Sequence, residues 1–596
     1  MICFTDRWIP LHIRYTLKAK LVPELRRETR SMDGRLHEPK PEARRPVLIK
    51  GLAALIGVAI GIGTPRGASI AQQTAGSAIL AGPLAKLDIK DAQIEPEREK
   101  PKGTLTVAQH FALDPGWLDP LEHSYAGTQQ EYDYFVHDAL IKPMPQGDPT
   151  YSLAEHAEMT ADYKNAAFRL RQGLKFQDGT PLTTADVKWT YENFKGANAK
   201  LFHDKLDHIE IVDDRTIIFH FKERFIDFMD LYNGGVSGIG WVVPRNYYQK
   251  VGRDGFRMHP IGAGPFKLAS QEAGTQMTFE AWDDYWRRPP ATQTIVVKGI
   301  RDPASRLAGL QTGELDLAYG MTGKLLPQVM ADKNLRWDPN FTSAWWLAFP
   351  GYNEPDSPFH DQRVREAVSL AINRAFLSKQ ETEGIGIPWG NWITPNQRDA
   401  LRGDGKDLPV PENNPAKAKK LLAEAGFPNG FDFDYVPFVP YFDMGQRILG
   451  DLRAVGIRGK LEVLEGPAFR AKVGQGRKGF PGNRTIVQNI DIRNAAQNIE
   501  IYAVCRGSAS FVCEPKIEEL WKKHQVSLDP EDRDVLTAAI QRNLIEEYYF
   551  VPIYLNPFVH AVGPRVLPVG DGFHRYWAVK RAYPFPWEIW EVRADD

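Results

Sequence analysis

The nearest approach to a hydrolase nucleophile elbow in this 596-residue chain is Gly235-Val236-Ser237-Gly238-Ile239, where Ile239 stands in place of the closing glycine. Without that glycine the sharp turn that lifts a serine above its neighbours is not specified. No phosphate-cradling P-loop occurs, and Gly61 and Gly63 belong to an apolar run near the N-terminus. No His-Glu-x-x-His occurs and the 14 His are scattered, so neither a metal nor a cofactor is expected. Carboxylates abound, but a pair for acid and base work is defined by its separation in space, which a linear sequence does not give. No catalytic residue is therefore assigned. Aromatic side chains are concentrated instead: Trp345, Trp346 and Tyr352, then Trp389 and Trp392 in a Gly- and Pro-rich stretch at 384–395. Exposed loop aromatics suit stacking on sugar, ring or peptide groups, with core packing as the plainer alternative.

The elements that must carry these residues read as mixed α/β. Thr104 to Ala108 and, more clearly, Thr216 to Phe221 have the β-branched and aromatic content of strands. Asn414 caps a helix with Pro415 at its first position. Ala418, Leu421, Leu422 and Ala425 recur at helical spacing before Gly426 ends it. A second helix starts near Asp361 and carries Val364, Ala367, Val368, Ala371 and Ile372 on one stripe; a third starts at the capping pair Thr183 and Asp186. No internal repeat is visible. The length predicts two to four domains, and 43% hydrophobic with 25% charged residues is the balance of a soluble globular chain. With 74 Lys and Arg against 75 Asp and Glu, no basic field awaits a nucleic acid.

The N-terminus predicts export. Gly51 to Gly63 is apolar but only 13 residues long, well short of the roughly 20 that cross a bilayer. Arg44, Arg45 and Lys50 precede it, and Ser69 and Ala71 supply the small residues of a cleavage site before Gln72. Arg44-Arg45-Pro46-Val47-Leu48-Ile49-Lys50 resembles a twin-arginine signal, although Pro46 departs from the pattern; the general secretory route stays open, as does a start at Met32. Residues 1–71 hold 13 basic and 6 acidic residues, so cleavage leaves 61 against 69, a net charge of minus 8. Cleavage also removes Cys3. Cys505 and Cys513 remain, either bridged in an oxidising compartment or present as two separate thiols. Residues 72–102 read as a flexible lead-in, with order beginning near Gly103.

Six segments then appear in a recognisable order: Arg171 to Phe194 (RQGLKFQDGTPLTTADVKWTYENF), Pro260 to Leu268 (PIGAGPFKL), Trp282 to Arg287 (WDDYWR), Ser305 to Asp316 (SRLAGLQTGELD), Asp361 to Arg374 (DQRVREAVSLAINR) and Asn414 to Phe427 (NPAKAKKLLAEAGF). The sequence resembles the extracellular solute-binding proteins of family 5, the peptide, nickel and opine binders of ABC importers. The resemblance departs between Asn483 and Val504, where the family's Trp-rich strand and Asp-Pro segment are replaced. It implies a two-lobed, three-domain periplasmic-binding-protein fold with an interlobe ligand cleft. The expected divisions are domain I at 103–145, 262–344 and 551–596, domain II at 146–261, and domain III at 345–550.

The resemblance further implies that an Asp upstream of the cysteine pair takes a ligand ammonium; counting back from Cys505 without gaps places Asp491 there, with Trp345, Trp346, Trp389 and Trp392 as stacking candidates. The expected function is capture of a peptide or amine-bearing small molecule in the periplasm by a monomer, for delivery to an inner-membrane ABC permease and its ATPase subunits, with no chemical step. An opine or sugar-containing conjugate is the alternative ligand. The alternative roles are an exported hydrolase and a binder that reports its ligand to a membrane receptor.

Overall fold

The computed structural model describes residues 78–91, 100–122, 132–143, 149–196, 199–232, 239–287, 289–321, 325–395, 397, 399–438, 442–464, 466–490, 495–507, 509–567 and 591–592. The expected export signal and Asp491 lie outside these residues. Strand β1 (Lys102–Gln109) opens the ordered core. The chain then leaves to build a four-stranded antiparallel sheet from β2 (Ala154–Met159), β3 (Asn165–Leu170), β4 (Leu206–Ile211) and β5 (Thr216–Phe221), in the order β2-β3-β5-β4. It returns for β6 (Phe266–Glu272), β7 (Gln276–Ala281), β8 (Thr292–Gly299) and β9 (Leu317–Ala318). Next come the long β10 (Arg336–Ala348), then β11 (Phe431–Val436), β12 (Ile457–Leu461), β13 (Thr485–Ile490) and the equally long β14 (Phe550–Val562). These, with the two-residue strand Ile387–Pro388 paired to β14, form an eleven-stranded sheet in the order β12-β11-β13-β10-β14-β9-β1-β8-β7-β6.

Two half-sheets share this order, and one ribbon joins them. β10 and β14 pair antiparallel from Arg336 opposite Val562 to Ala348 opposite Phe550, with register irregularities between Asn340 and Ser343 and between Ala344 and Trp346. β9 joins β14 only at Ala561 and Val562, whereas β13 joins β10 only at Trp345 to Ala348. The irregular middle of the ribbon therefore belongs fully to neither half.

The helices begin where the sequence places them. Helix α1 (Thr184–Asn193) opens with the Thr183 amide donating to the Asp186 carboxylate at 3.0 Å, and its Val187 and Tyr191 are buried. Helices α2 (Ala199–Lys205) and α3 (Pro303–Thr312) follow. In α4 (Gln362–Ala371) the Asp361 carboxylate accepts from the Arg363 amide at 2.8 Å, and Val364, Ala367, Val368 and Ala371 enter the core. In α5 (Pro415–Glu424) Asn414 accepts from the Lys417 amide at 3.0 Å, and Gly426 takes φ 90° past the last turn. Such caps satisfy amide groups the helix itself leaves unpaired. Helix α6 (Phe442–Ala454) links β11 to β12, and α7 (Ala495–Tyr502), α8 (Pro515–Val526) and α9 (Pro530–Glu546) lie between β13 and β14.

Three of the six sequence signatures carry a buried polar side chain, Gln177, Arg306 or Arg374, that satisfies backbone carbonyls. Gln177 donates to the carbonyls of Val136, Gly264 and Phe266 at 3.2, 3.0 and 2.7 Å, locking the Asp178-Gly179 turn to the Gly262-Ala263-Gly264 crossover. A Cβ on Gly262 would stand 2.0 Å from the Val136 carbonyl oxygen, so that approach requires glycine. Arg374, wholly buried, gives its fork to the carbonyls of Pro552 and Ser369 and to the Ser369 hydroxyl.

Order does not wait for Gly103. Residues 78–91 lie against the four-stranded sheet: the Ile79 and Leu80 amides donate to the Glu158 carboxylate at 2.9 and 2.8 Å, Leu80 packs on Ala167 and Ile218, and Ala85 donates to the Met159 carbonyl at 2.8 Å. This corrects the expected lead-in over that stretch. Its anchors are partners some 70 to 80 positions away, which local composition does not reveal.

Candidate functional site

In an open α/β sheet, ligands collect outside the carboxyl ends of parallel strands where the strand order reverses. This sheet has two such places. β1 runs parallel to both neighbours, β8 and β9, and the chain passes from β8 through α3 to β9 on the far side of β1. β11 likewise runs parallel to β12 and β13, which lie on its opposite sides. One reversal lies in each half-sheet, on either side of the ribbon.

The first carboxyl edge is aromatic. His110 follows the last residue of β1, with its ring 4.4 Å from that of Phe111 and 5.5 Å from that of Phe558. Gly320, just beyond β9, adopts φ 64°, and a Cβ there would stand 3.1 Å from the His110 ring. Arg306 of α3 holds this turn, donating to the carbonyls of Ile300, Arg301 and Gly320 at 2.7, 2.8 and 3.0 Å. Burial, and then the Arg306 charge, push His110 down to about 4, so its imidazole is neutral at neutral pH. Its Nδ1 is buried without a hydrogen-bond partner. His560 of β14 is fully buried beside the Tyr319 ring at 4.5 Å, and burial holds it well below the ordinary histidine range.

The second edge is formed by the ends of β11 and β13. Tyr435 donates its hydroxyl to Gln488 Oε1, tying the two strands together beneath the edge. Trp345 stands opposite Ile490, the last residue of β13, and its ring lies 5.9 Å from that of Phe438, two residues past β11. Asp491 directly follows Ile490 in sequence. Alternation along β10 sends the next tryptophan elsewhere: Trp346 packs among Trp392, Tyr502, Phe511 and Phe550, with centroids 4.5 to 6.1 Å away.

The four tryptophans thus have different placements from those expected of exposed stacking faces. Trp345, Trp346 and Trp392 are 0% exposed and Trp389 is 3%. Trp389 donates its indole N–H to the Ile393 carbonyl at 2.9 Å, and Trp392 sits 4.6 Å from the Phe550 ring. The 384–395 stretch is Gly-rich because backbone segments approach closely: a Cβ on Gly390 would stand 2.2 Å from the Pro409 carbonyl oxygen. Its aromatics fill the space beneath. Cys505 and Cys513 form a disulfide, which closes the loop between α7 and α8. Among the described residues no cluster of three or more His, Cys, Asp or Glu is arranged to hold a metal, and no helix is long and apolar enough to cross a membrane. Sequence reasoning missed His110, Tyr319 and His560; a lone histidine directly after a strand was the single local signal.

The family described as "Bacterial extracellular solute-binding proteins, family 5 Middle" matches residues 148–481. The glutathione-binding protein GsiB of Salmonella typhi is 27% identical over 337 residues, 55% of this chain and 63% of that protein. The dipeptide-binding protein of Escherichia coli K12 is 27% identical over 360 residues, 54% of this chain and 65% of that protein. The chain therefore matches under two thirds of the length of these relatives. Among solved structures, the binding protein AgaA of A. tumefacien R10 in complex with agropinic acid superposes with a TM-score of 0.66 at 22% identity, covering 82% of this chain and 99% of that one. The periplasmic binding protein DppA of Helicobacter pylori in complex with peptide STSA gives 0.67 at 20%, covering 82% and 98%. These likenesses show the fold: the two-lobed, three-domain architecture of the large peptide-binding proteins.

Proposed function

We propose that this chain, which belongs to the bacterial extracellular solute-binding proteins of family 5, captures a peptide or amine-bearing small molecule between its two lobes and delivers it to an ABC import permease and its ATPase subunits. The observation that carries the reading is the pair of parallel-strand switch points, one in each half-sheet, joined by the two-stranded β10–β14 ribbon. Two halves that each offer a carboxyl edge and are joined by a ribbon can close over one ligand, and closure is favoured when both halves contact it. The irregular register from Asn340 to Trp346 is where we place the hinge.

In this reading Asp491 takes a cationic nitrogen, Trp345 forms the apolar wall beside it, and Trp346, Trp389 and Trp392 hold that wall from behind. His110 offers the other half's polar contact. As a neutral imidazole it donates from one ring nitrogen and accepts at the other, which suits an amide or hydroxyl. The relatives named above are binding proteins, and the role proposed here likewise contains no bond-making step. The protein acts outside the cytoplasm as a monomer, exported through the signal at residues 1–71.

Native mass spectrometry of the protein purified from its own periplasm without refolding tests this. Release of one stoichiometric molecule bearing an amine supports the proposal and names the ligand. Release of an opine or sugar conjugate moves the ligand class while keeping the role. Turnover of a hydrolase substrate, abolished by changing one carboxylate, would replace the role.

A further inference from the structure

Two arginines, one from each of two expected domains, hold the end of helix α8. Arg224, just past β5 of the four-stranded sheet, donates from Nη1 to the carbonyl of Val526, the last residue of α8, at 3.0 Å. Arg533, in the first turn of α9, donates from Nη1 to the next carbonyl, that of Ser527, at 3.2 Å. A helix leaves its final carbonyls without partners of its own and ends on a partial negative charge, so a guanidinium there both satisfies an acceptor and opposes a dipole. Arg224 supplies this cap from 302 positions away in sequence. Arg533 crosses the seam in the other direction. Its guanidinium lies 5.5 Å from the ring centroid of Tyr163, which makes the β2–β3 turn at φ 57°. Tyr163 is 8% exposed and Arg533 9%, so cation and ring meet largely out of water, where their attraction is stronger. A residue with a Cβ persists at such a φ where its surroundings hold it. Here the Tyr163 amide donates to the Thr160 carbonyl at 2.8 Å and its carbonyl accepts from the Phe225 amide at 2.9 Å. The turn that presents the ring and the segment that presents Arg224 are therefore tied together.

We propose that Arg224 and Arg533 set the affinity of the protein for its solute without touching it, by forming a clasp between the four-stranded sheet and the α8–α9 pair that is made when the lobes close and broken when they open. The inference deepens the two-lobe closure proposed above and rests on it, together with the expected division that puts residues 146–261 and 345–550 in different domains. Each contact has one partner on either side of the seam, Arg224 with the Val526 carbonyl and Arg533 with the Tyr163 ring. None of these four residues belongs to the strand ends at the two switch points. A contact confined to the closed state raises the population of that state before any solute arrives, and apparent affinity rises in the same proportion. One charge-assisted hydrogen bond and one cation on a ring are modest interactions, so closure aided by them stays reversible.

The test is single-molecule energy transfer on the ligand-free full mature chain, with one dye on the four-stranded sheet and one on α9. The wild type should show two distances, joined and separated. Arg533→Met, which keeps the apolar stem and removes the charge, should move the joined-to-separated ratio toward separation by roughly 3- to 10-fold, and Arg224→Met by a similar factor. Tyr163→Leu should reproduce the Arg533→Met shift in the wild-type background and add nothing to it in the Arg533→Met chain, because either change already removes the pair. Circular dichroism and the urea midpoint confirm that each variant is folded; a merely structural arginine would lower the midpoint and leave the ratio where it was. A wild type with one distance, arginine variants at the wild-type ratio, or a Tyr163→Leu shift undiminished by Arg533→Met overturns the clasp. Because no solute is added, these results stand apart from the mass-spectrometric test. A responsive clasp in a chain that releases no solute would sink the transport reading alone, and a released solute beside unresponsive variants would sink the clasp alone.

Discussion

Arg565 lays its guanidinium on the carboxylate of Asp316 in two parallel hydrogen bonds, Nε to Oδ1 and Nη2 to Oδ2, each 2.8 Å. The Asp316 side chain is 1% exposed, and its Oδ2 also accepts from the Thr106 amide at 2.8 Å. One carboxylate thus fastens β1, the start of β9 and the segment after β14, three pieces of chain more than 200 residues apart. Asp316→Ala should leave the guanidinium and the Thr106 amide without their acceptor, and cost about 2–4 kcal/mol of stability, discounted because Arg565 retains some water. Asp316→Asn keeps one acceptor oxygen and should cost less. Urea denaturation of the two variants measures both; equal losses would mean the fork geometry is unimportant.

Two glycines of the signature segments separate conformational freedom from space. Gly179 takes φ 85° in the Asp178 turn, with nothing within 4 Å of a built Cβ, so Gly179→Ala should cost about 1–2 kcal/mol from the backbone alone. At Gly262 a Cβ would collide with the Val136 carbonyl at 2.0 Å and the His137 ring at 2.6 Å. Gly262→Ala should therefore displace the crossover and lose at least about 3 kcal/mol, or prevent folding. Thermal unfolding read by circular dichroism distinguishes them, and a mild effect at Gly262 would contradict the close approach.

The helix starts at Thr183, Asp361 and Asn414 were legible because a cap is a contact over two or three residues. β10 was not legible. Its Asp338-Pro339-Asn340 reads as a turn, yet Pro339 sits in the ladder opposite Val559. The proline is tolerated because β13 pairs β10 only from Trp345 onward, leaving that side of Pro339 without a β13 ladder. The site fails to show in the sequence for the same reason. Trp345 and Trp346 are adjacent and chemically identical, both are buried, and only the pairing of β10 with β13 and β14 decides which one packs beside Phe438 and which among Trp392, Tyr502, Phe511 and Phe550. His110 becomes notable once β1 is known to have parallel neighbours on both sides.

Buried histidines make stability fall as pH falls. His524 stacks on Trp521 with centroids 4.7 Å apart, and burial with the Arg533 charge pushes it down to about 4. His110 is pushed to the same value. Unfolded, each takes up a proton near pH 6.5, whereas the folded groups resist until about 4. Their contribution to stability is therefore whole above 6.5 and is lost as pH falls toward 4. The urea midpoint should drop between pH 7 and 4.5. His524→Phe, which keeps a flat ring on Trp521, should drop less over the same interval. Parallel profiles would show that His524 titrates normally in the fold.

Asp491 is the residue proposed above to take a cationic nitrogen of the ligand. It follows the final residue of β13, the strand that ends opposite Trp345 at the second switch point. If the released ligand carries an ammonium, the carboxylate faces it in a closed, largely dry space, where a charge-assisted hydrogen bond contributes about 1.5–3 kcal/mol. Asp491→Asn should then weaken binding by roughly 10- to 100-fold, and Asp491→Ala by at least as much, with little change in unfolding midpoint if the carboxylate serves the ligand and not the fold. Trp345→Ala must behave differently. Its ring is fully buried beside Phe438, so removal should cost both affinity and about 3–5 kcal/mol of stability. Isothermal titration paired with urea denaturation reads the two axes separately. A loss of affinity at Asp491 with unchanged stability assigns the contact to the ligand. If Asp491→Asn binds as tightly as the wild type, the register counted back from Cys505 is wrong, and the ammonium must be met by another acceptor on the β11 to β13 edge.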